Sequence, residues 1–186
     1  MTQSKRFVLC RNRSLDLLTW LKPCFYFSFA VILFSVLLVG CSGKKIEGVK
    51  IGEPARDFSL PDQTGKVYSL AGNKGSVVLI RFWADWCPNC KEEMPRIDGV
   101  YRNLKDKEFR VLGVNVKQGE EAVSAFVKEY KISFPTPMDK DATVAKIYGV
   151  VGLPTTFIID KDGKIREKVM GDMTREDVER LVTPLL

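Results

Sequence analysis

Ser76-Val77-Val78-Leu79-Ile80-Arg81-Phe82-Trp83-Ala84-Asp85-Trp86-Cys87-Pro88-Asn89-Cys90 runs a near-continuous apolar stretch directly into a closely spaced cysteine pair. The part from Ser76 to Trp83 reads as a strand covered on both faces. A helix is predicted from near Pro88 to about Lys105, with Met94, Ile97, Tyr101 and Leu104 recurring at helical spacing and Pro95 expected to kink it. Cys87 then stands at a helix N-terminus, where unpaired backbone N–H groups favour a thiolate. A lowered thiol pKa makes that sulfur available as thiolate and a better leaving group. Cys90 lies one turn further in, close enough to bond Cys87 and suited to the role of resolving thiol.

The same pair is also half of a zinc site. The chain has no histidine, and its other cysteines, Cys10, Cys24 and Cys41, all lie before residue 42. Four zinc ligands would need a second molecule, so no metal and no cofactor is expected. The absence of histidine also removes Ser-His-Asp and Cys-His catalysis. An inert structural disulfide remains the plain alternative. Five cysteines in this arrangement do not make the even, spread pattern of a disulfide-stapled secreted domain.

Outward from this centre, strands and helices alternate. Pro61-Asp62-Gln63-Thr64-Gly65-Lys66 has turn chemistry and precedes a short strand, Val67-Tyr68-Ser69-Leu70. Phe109 to Val116 is a second buried strand. Glu120 to Tyr130 is helical, with Val123, Phe126 and Val127 on one face, and Asp141 to Tyr148 is a shorter helix. Pro154 to Asp160 and Lys164 to Met170 are two strands joined at Lys161-Asp162-Gly163, a hairpin turn signal. Thr174 to Leu181 closes the chain as a helix, with Thr174 as N-cap and Asp177 placed for a capping box. The expected fold class is α/β: a central mixed sheet flanked by helices on both faces.

Residues 24–40 carry no charge and follow a basic stretch, the arrangement of an export signal or membrane anchor. Leu38-Val39-Gly40-Cys41 resembles the lipobox of bacterial lipoproteins, which implies lipidation of Cys41; the other reading is an uncleaved N-terminal anchor. The expected organisation is a signal peptide or membrane anchor over 1–40, a tether over 41–52 and a folded domain over 53–186. The formal net charge is +6, of which residues 1–40 hold +4 and the remainder +2. The basic excess belongs mostly to the leader, so no nucleic-acid partner is expected.

Motifs in a fixed order carry a family resemblance. Phe82-Trp83-Ala84-Asp85-Trp86-Cys87-Pro88-Asn89-Cys90-Lys91 resembles the active-site segment of the thioredoxin superfamily. Gly52-Glu53-Pro54-Ala55-Arg56-Asp57-Phe58-Ser59-Leu60, Lys91-Glu92-Glu93-Met94-Pro95, and Gly152-Leu153-Pro154-Thr155-Thr156-Phe157-Ile158-Ile159-Asp160 with Gly163 resemble its membrane-tethered, extracytoplasmic branch. That branch is related to cytochrome c maturation and to the alkyl hydroperoxide reductase/thiol-specific antioxidant fold. The resemblance spans roughly residues 51–184. It implies a thioredoxin-like fold with an N-terminal extension and an inserted helix, introduced by Lys117-Gln118-Gly119-Glu120 and followed by a short strand in Phe134-Pro135-Thr136-Pro137-Met138-Asp139.

The resemblance also implies site roles. Cys87 and Cys90 are the catalytic pair, and Glu93 is the acidic residue that tunes their protonation, with a carboxylate able to accept the Cys90 proton; the other reading of Glu93 is a helix-surface glutamate. Pro154 is a cis proline beside the cysteines, and Trp86, Pro88, Leu153, Pro154 and Thr155 contact the substrate chain. Arg81 replaces the buried acid of cytoplasmic thioredoxins; it pairs with Glu93, pairs with another acid, or extends to the surface. Asp85 and Lys91 flank the site as solvated charges, and Trp83 is a core residue. The implied activity is thiol-disulfide exchange with exported proteins, acting as a reductant in cytochrome c maturation. Its partners are a disulfide-containing exported protein or apocytochrome c and a membrane thiol-transfer electron donor, at the extracytoplasmic face of a bacterial membrane such as that bounding the periplasm. The alternatives are a disulfide-donating oxidase, a thiol peroxidase, or a non-enzymatic lipoprotein binding module.

Overall fold

The computed structural model describes residues 48–186. The leader over 1–40, Cys41 and most of the 41–52 tether lie outside the described residues. Among the described residues no helix is long and apolar enough to cross a membrane.

The apolar run becomes β3 (Val77–Trp83), and all of its residues are buried. It lies at the middle of a five-stranded sheet. β4 (Phe109–Val116) pairs with it in parallel on one side and β6 (Thr155–Ile159) antiparallel on the other. β5 (Met138–Asp139) and β7 (Ile165–Met170) complete the order β5-β4-β3-β6-β7. A separate two-stranded ribbon pairs β1 (Ser59–Pro61) with β2 (Val67–Ser69). β1 was not expected from the sequence, where its few residues carry no alternation of their own.

Because side chains alternate along a strand, β3 supplies two cores. Val77, Leu79 and Trp83 face a layer formed by α1 (Pro88–Leu104), α2 (Glu120–Glu129) and α4 (Arg175–Val182), through Met94, Ile97, Val100, Val123, Phe126, Val178 and Val182. Val78, Ile80 and Phe82 face α3 (Thr143–Ile147) and the N-terminal segment, through Val144, Ala145, Tyr148 and Phe58, with Phe157 of β6 in the same core. The second core is bound by rings: Tyr148 lies 5.1 Å from Phe157 and 5.6 Å from Phe82, and its hydroxyl donates to the Arg56 carbonyl at 2.5 Å.

Several boundaries depart from the sequence reading, each for a local reason. β5 is short because Pro135 and Pro137 have no N–H to donate; their carbonyls still accept from Gly113 and Asn115 of β4, both at 2.9 Å. β6 begins after Pro154 for the same reason. α3 starts at Thr143 because Ala142 is left-handed (φ +59°), and the Asp139 carboxylate receives the Val144 and Ala145 N–H groups at 3.2 and 2.8 Å. α1 continues through Pro95. The β6–β7 turn closes at Gly163, where φ of +81° suits a residue without a Cβ. The expected capping box at Thr174 and Asp177 is present. The segment around Gly52–Ala55 bonds the start of β7, with Gly52 N–H to Ile165 O at 2.8 Å and Ala55 N–H to Gly163 O at 2.9 Å.

Candidate active site

β3 ends at Trp83 and the chain turns through Ala84-Asp85-Trp86 to deliver Cys87 as the N-cap of α1. The sheet therefore places the cysteines at its centre, where the middle strand meets the helix that covers it. Cys87 and Cys90 are joined by a disulfide with their Cα atoms 5.3 Å apart. The pair is asymmetric: Cys87 retains 4% exposure and Cys90 none. The Cys87 carbonyl accepts from the Cys90 N–H at 3.1 Å, the first bond of the helix. Pro88 opens α1 and is exposed, as are Asn89 and Lys91.

A second wall comes from the other side of β3. The Leu153–Pro154 bond is cis. Leu153 is half-buried and Pro154 is buried. Thr155 is fully buried and its hydroxyl donates to the Gly152 carbonyl at 2.7 Å. The Pro154 carbonyl accepts from the Gly171 N–H at 2.9 Å, which fixes this turn to the end of β7. Trp86 is 66% exposed, Val151 in the loop before Pro154 is 86% exposed, and Met170, paired with Thr155 across β6 and β7, is 64% exposed.

Beneath the cysteines lies a buried charge pair. Arg81 and Glu93 are both fully buried and form an ion pair. Of the three fates read for Arg81, pairing with Glu93 is the one the structure holds. Glu93 faces inward, one turn beyond Cys90 on α1, whereas Glu92 is exposed and pairs with Arg96 at 3.3 Å. Trp83 is core: its indole N–H donates to the Gly113 carbonyl at 2.9 Å and its ring lies 4.3 Å from Phe126.

One residue of this neighbourhood was missed by sequence reasoning. Gln118, in the loop after β4, accepts from the Asp85 N–H at 2.8 Å and donates to the Asp85 carboxylate at 2.5 Å. Asn115, fully buried on β4, donates to the same Gln118 oxygen at 2.8 Å. Asp85 is accordingly half-buried and held, not a freely solvated flanking charge. The loop that presents Trp86 and Cys87 is thereby clamped from across the sheet.

The disulfide stands at a helix N-terminus with one cysteine less buried than the other, and the pairing of Phe82 with Thr155 brings the cis proline to the same end of β3. Such a cysteine pair is suited to thiol-disulfide exchange.

The comparisons agree with this geometry. Residues 51–168 match the model of the AhpC/TSA family. The thiol-disulfide oxidoreductase ResA of Bacillus thuringiensis subsp. konkukian (strain 97-27) is 38% identical over 143 residues, covering 75% of this chain and 83% of the relative. ResA of Bacillus subtilis (strain 168) is 37% identical over 141 residues, covering 74% and 79%. Among solved structures, a putative thiol:disulfide interchange protein DsbE from Chlorobium tepidum superposes with a TM-score of 0.70 at 31% identity, covering 74% of this chain and 99% of that one.

Proposed function

The chain belongs to the AhpC/TSA family and is a thiol-disulfide oxidoreductase, and from that premise we propose that it serves as a reductant of disulfides in exported proteins, with the cysteine pair of an apocytochrome c as substrate. Cys87 as thiolate attacks the partner disulfide and Cys90 resolves the mixed disulfide, passing its proton to Glu93. Trp86, Pro88, Leu153, Pro154 and Thr155 form the surface on which the partner chain lies, with Val151 and Met170 extending it. Electrons return from a membrane thiol-transfer protein. The chain is held at the extracytoplasmic face of a bacterial membrane by lipid on Cys41 or by an N-terminal anchor within 1–40, and a tether over 41–52 joins it to the domain over 53–186.

The observation that carries this reading is the asymmetry of the pair: Cys87 keeps 4% exposure while Cys90 has none. An attacking thiol needs access and a resolving thiol needs protection from other partners. The test is the reduction potential of the pair, by equilibration against glutathione or dithiothreitol with trapping of free thiols. A value near or below about −270 mV is expected for a reductant, whereas a value near −120 mV makes the protein a disulfide donor. A pair that exchanges with neither reagent sinks the proposal.

A further inference from the structure

Arg81 stands on β3 where both neighbouring strands offer nothing ionisable: Gly113 of β4 and Thr156 of β6 are its register partners. Its buried guanidinium reaches three other places in the fold. It pairs with Oε2 of Glu93 on α1, donates to the Thr156 hydroxyl at 2.5 Å, and donates to the Gly171 carbonyl at 3.3 Å. Gly171 in turn donates its N–H to Pro154. One cation thus ties the cysteine helix to the strand and turn that hold the cis proline. The charged groups facing it are Glu93 from α1 and Asp172 from the segment after β7, the latter itself paired with Arg96 at 3.3 Å. Burial lowers the Arg81 pKa to about 9, against the opposing pull of Asp172, so the guanidinium keeps its charge at neutral pH.

A carboxyl buried as deeply as Glu93 and lacking a partner is driven toward its neutral form, in which it cannot take up a proton. An adjacent guanidinium reverses that preference. The pairing engages only Oε2; Oε1 is buried and meets no hydrogen-bond partner among the described residues. Glu93 and Cys90 are three residues apart on one buried helix face, the spacing at which side chains meet.

We infer that Arg81 is a positioning residue that keeps Glu93 ionised, with Oε1 free to take the Cys90 proton in the resolving step. The inference rests on the exchange reading above. In that step the Cys90 thiol proton moves to Glu93, and the thiolate electron pair forms the Cys90–Cys87 bond. The bond between Cys87 and the partner sulfur breaks, and the partner leaves as thiolate and takes a proton from water. The dithiol loses two electrons and the partner disulfide gains them; Glu93 then returns its proton to water.

The test uses the reduced full-length protein carrying Cys10→Ser, Cys24→Ser and Cys41→Ser, so that only Cys87 and Cys90 react, mixed with 5,5′-dithiobis(2-nitrobenzoate), whose coloured thiolate is then released twice. The first release reports attack by Cys87 and the second reports resolution by Cys90. Across pH 5–8, Arg81→Gln should leave the first phase within about twofold of the parent. Its second-phase midpoint should move up by about one pH unit, so that the phase is slower by up to about tenfold at pH values below the parent midpoint. Arg81→Lys should recover most of the rate. Glu93→Gln should slow the second phase at every pH, and adding Arg81→Gln to it should change nothing further. Superimposed second-phase profiles for the parent and Arg81→Gln overturn the inference, as does an equal Arg81→Gln effect in the Glu93→Gln background. Should Arg81→Gln fail to fold, the apolar pair Arg81→Met with Glu93→Leu decides, since such exchanges of a buried ion pair are tolerated in packed interiors. A slow, pH-independent second phase is then expected, and a parental one refutes the inference. Absence of the first phase in the parent removes the exchange reading, whereas a normal first phase with an unmoved second removes this inference alone.

Discussion

Replacing Gln118 with alanine should destabilise the protein by about 2–6 kcal/mol without touching either cysteine. The perturbation deletes three hydrogen bonds. Two of them hold half-buried Asp85, and there water takes over part of the loss, leaving about 0.5–1.5 kcal/mol each. The third is different. Asn115 is fully buried and its Oδ1 already has no hydrogen-bond partner among the described residues. Losing the Gln118 oxygen strands its amide N–H as well, at a cost of about 1–3 kcal/mol. In a domain of this size each kcal/mol lowers Tm by about 4 °C, so scanning calorimetry should register a fall of roughly 8–24 °C. Gln118→Glu supplies the control. It keeps the acceptor for Asp85 and Asn115 but sets a carboxylate against the Asp85 carboxylate. Protonation restores a donor, so its deficit should shrink as pH falls from about 6 to 4, and that of Gln118→Ala should not. A Gln118→Ala midpoint within about 1 °C of the parent, or a Gln118→Glu deficit that ignores pH, refutes the clamp.

Gly113→Ala should cost about 1–3 kcal/mol by overpacking, read as a lower urea midpoint at constant slope. A Cβ there lies 2.8 Å from the Phe134 ring and 3.3 Å from both Met94 and Trp83. Acid should unfold the domain through Asp62 and Asp160. Burial pushes both carboxyls up, but hydrogen bonds from Thr64 and Lys66 in one case, and from Lys164 and Arg166 in the other, hold them below the usual range. Each therefore contributes stability that is complete above about pH 4 and is lost as pH falls through its depressed pKa. Asp139 acts in the opposite sense, since burial raises its pKa despite the Ala145 and Val144 N–H groups, and its ionised form weighs against folding as pH rises through that value. A Tm that stays flat from pH 5 to pH 2.5 contradicts this account of Asp62 and Asp160.

What the sequence made legible was local or repetitive. The β3 run, the helix spacing after Pro88, the whole of β4 and the Thr174 cap depend on residues near one another in the chain, and each is found where it was read. The thioredoxin-like assignment followed from motifs in fixed order. What escaped depended on partners far apart. Asp85 was read as solvated because nothing within its own stretch binds it; its partner lies on a loop 33 residues away. Arg81 could be given three fates because a strand position says that a side chain is buried and not which acid meets it. Asp98 is a similar case: it is 1% exposed and accepts both the N–H and the hydroxyl of Ser133 at 2.7 Å, yet a polar residue within an amphipathic pattern is indistinguishable from a surface one.

The margins of the sheet bear on a hazard shared by open sheets. A free strand edge invites further strands, and repeated addition is the route to aggregation. Here β5 is only two residues long, and the Thr136 hydroxyl just before it is bonded to Gln63 of the β1–β2 turn at 2.9 Å. The start of β7 is occupied by the chain around Gly52–Ala55, and beyond it β7 carries Arg166, Glu167 and Lys168. Both margins discourage the addition of further strands, so the sheet is guarded against polymerising through its own edges.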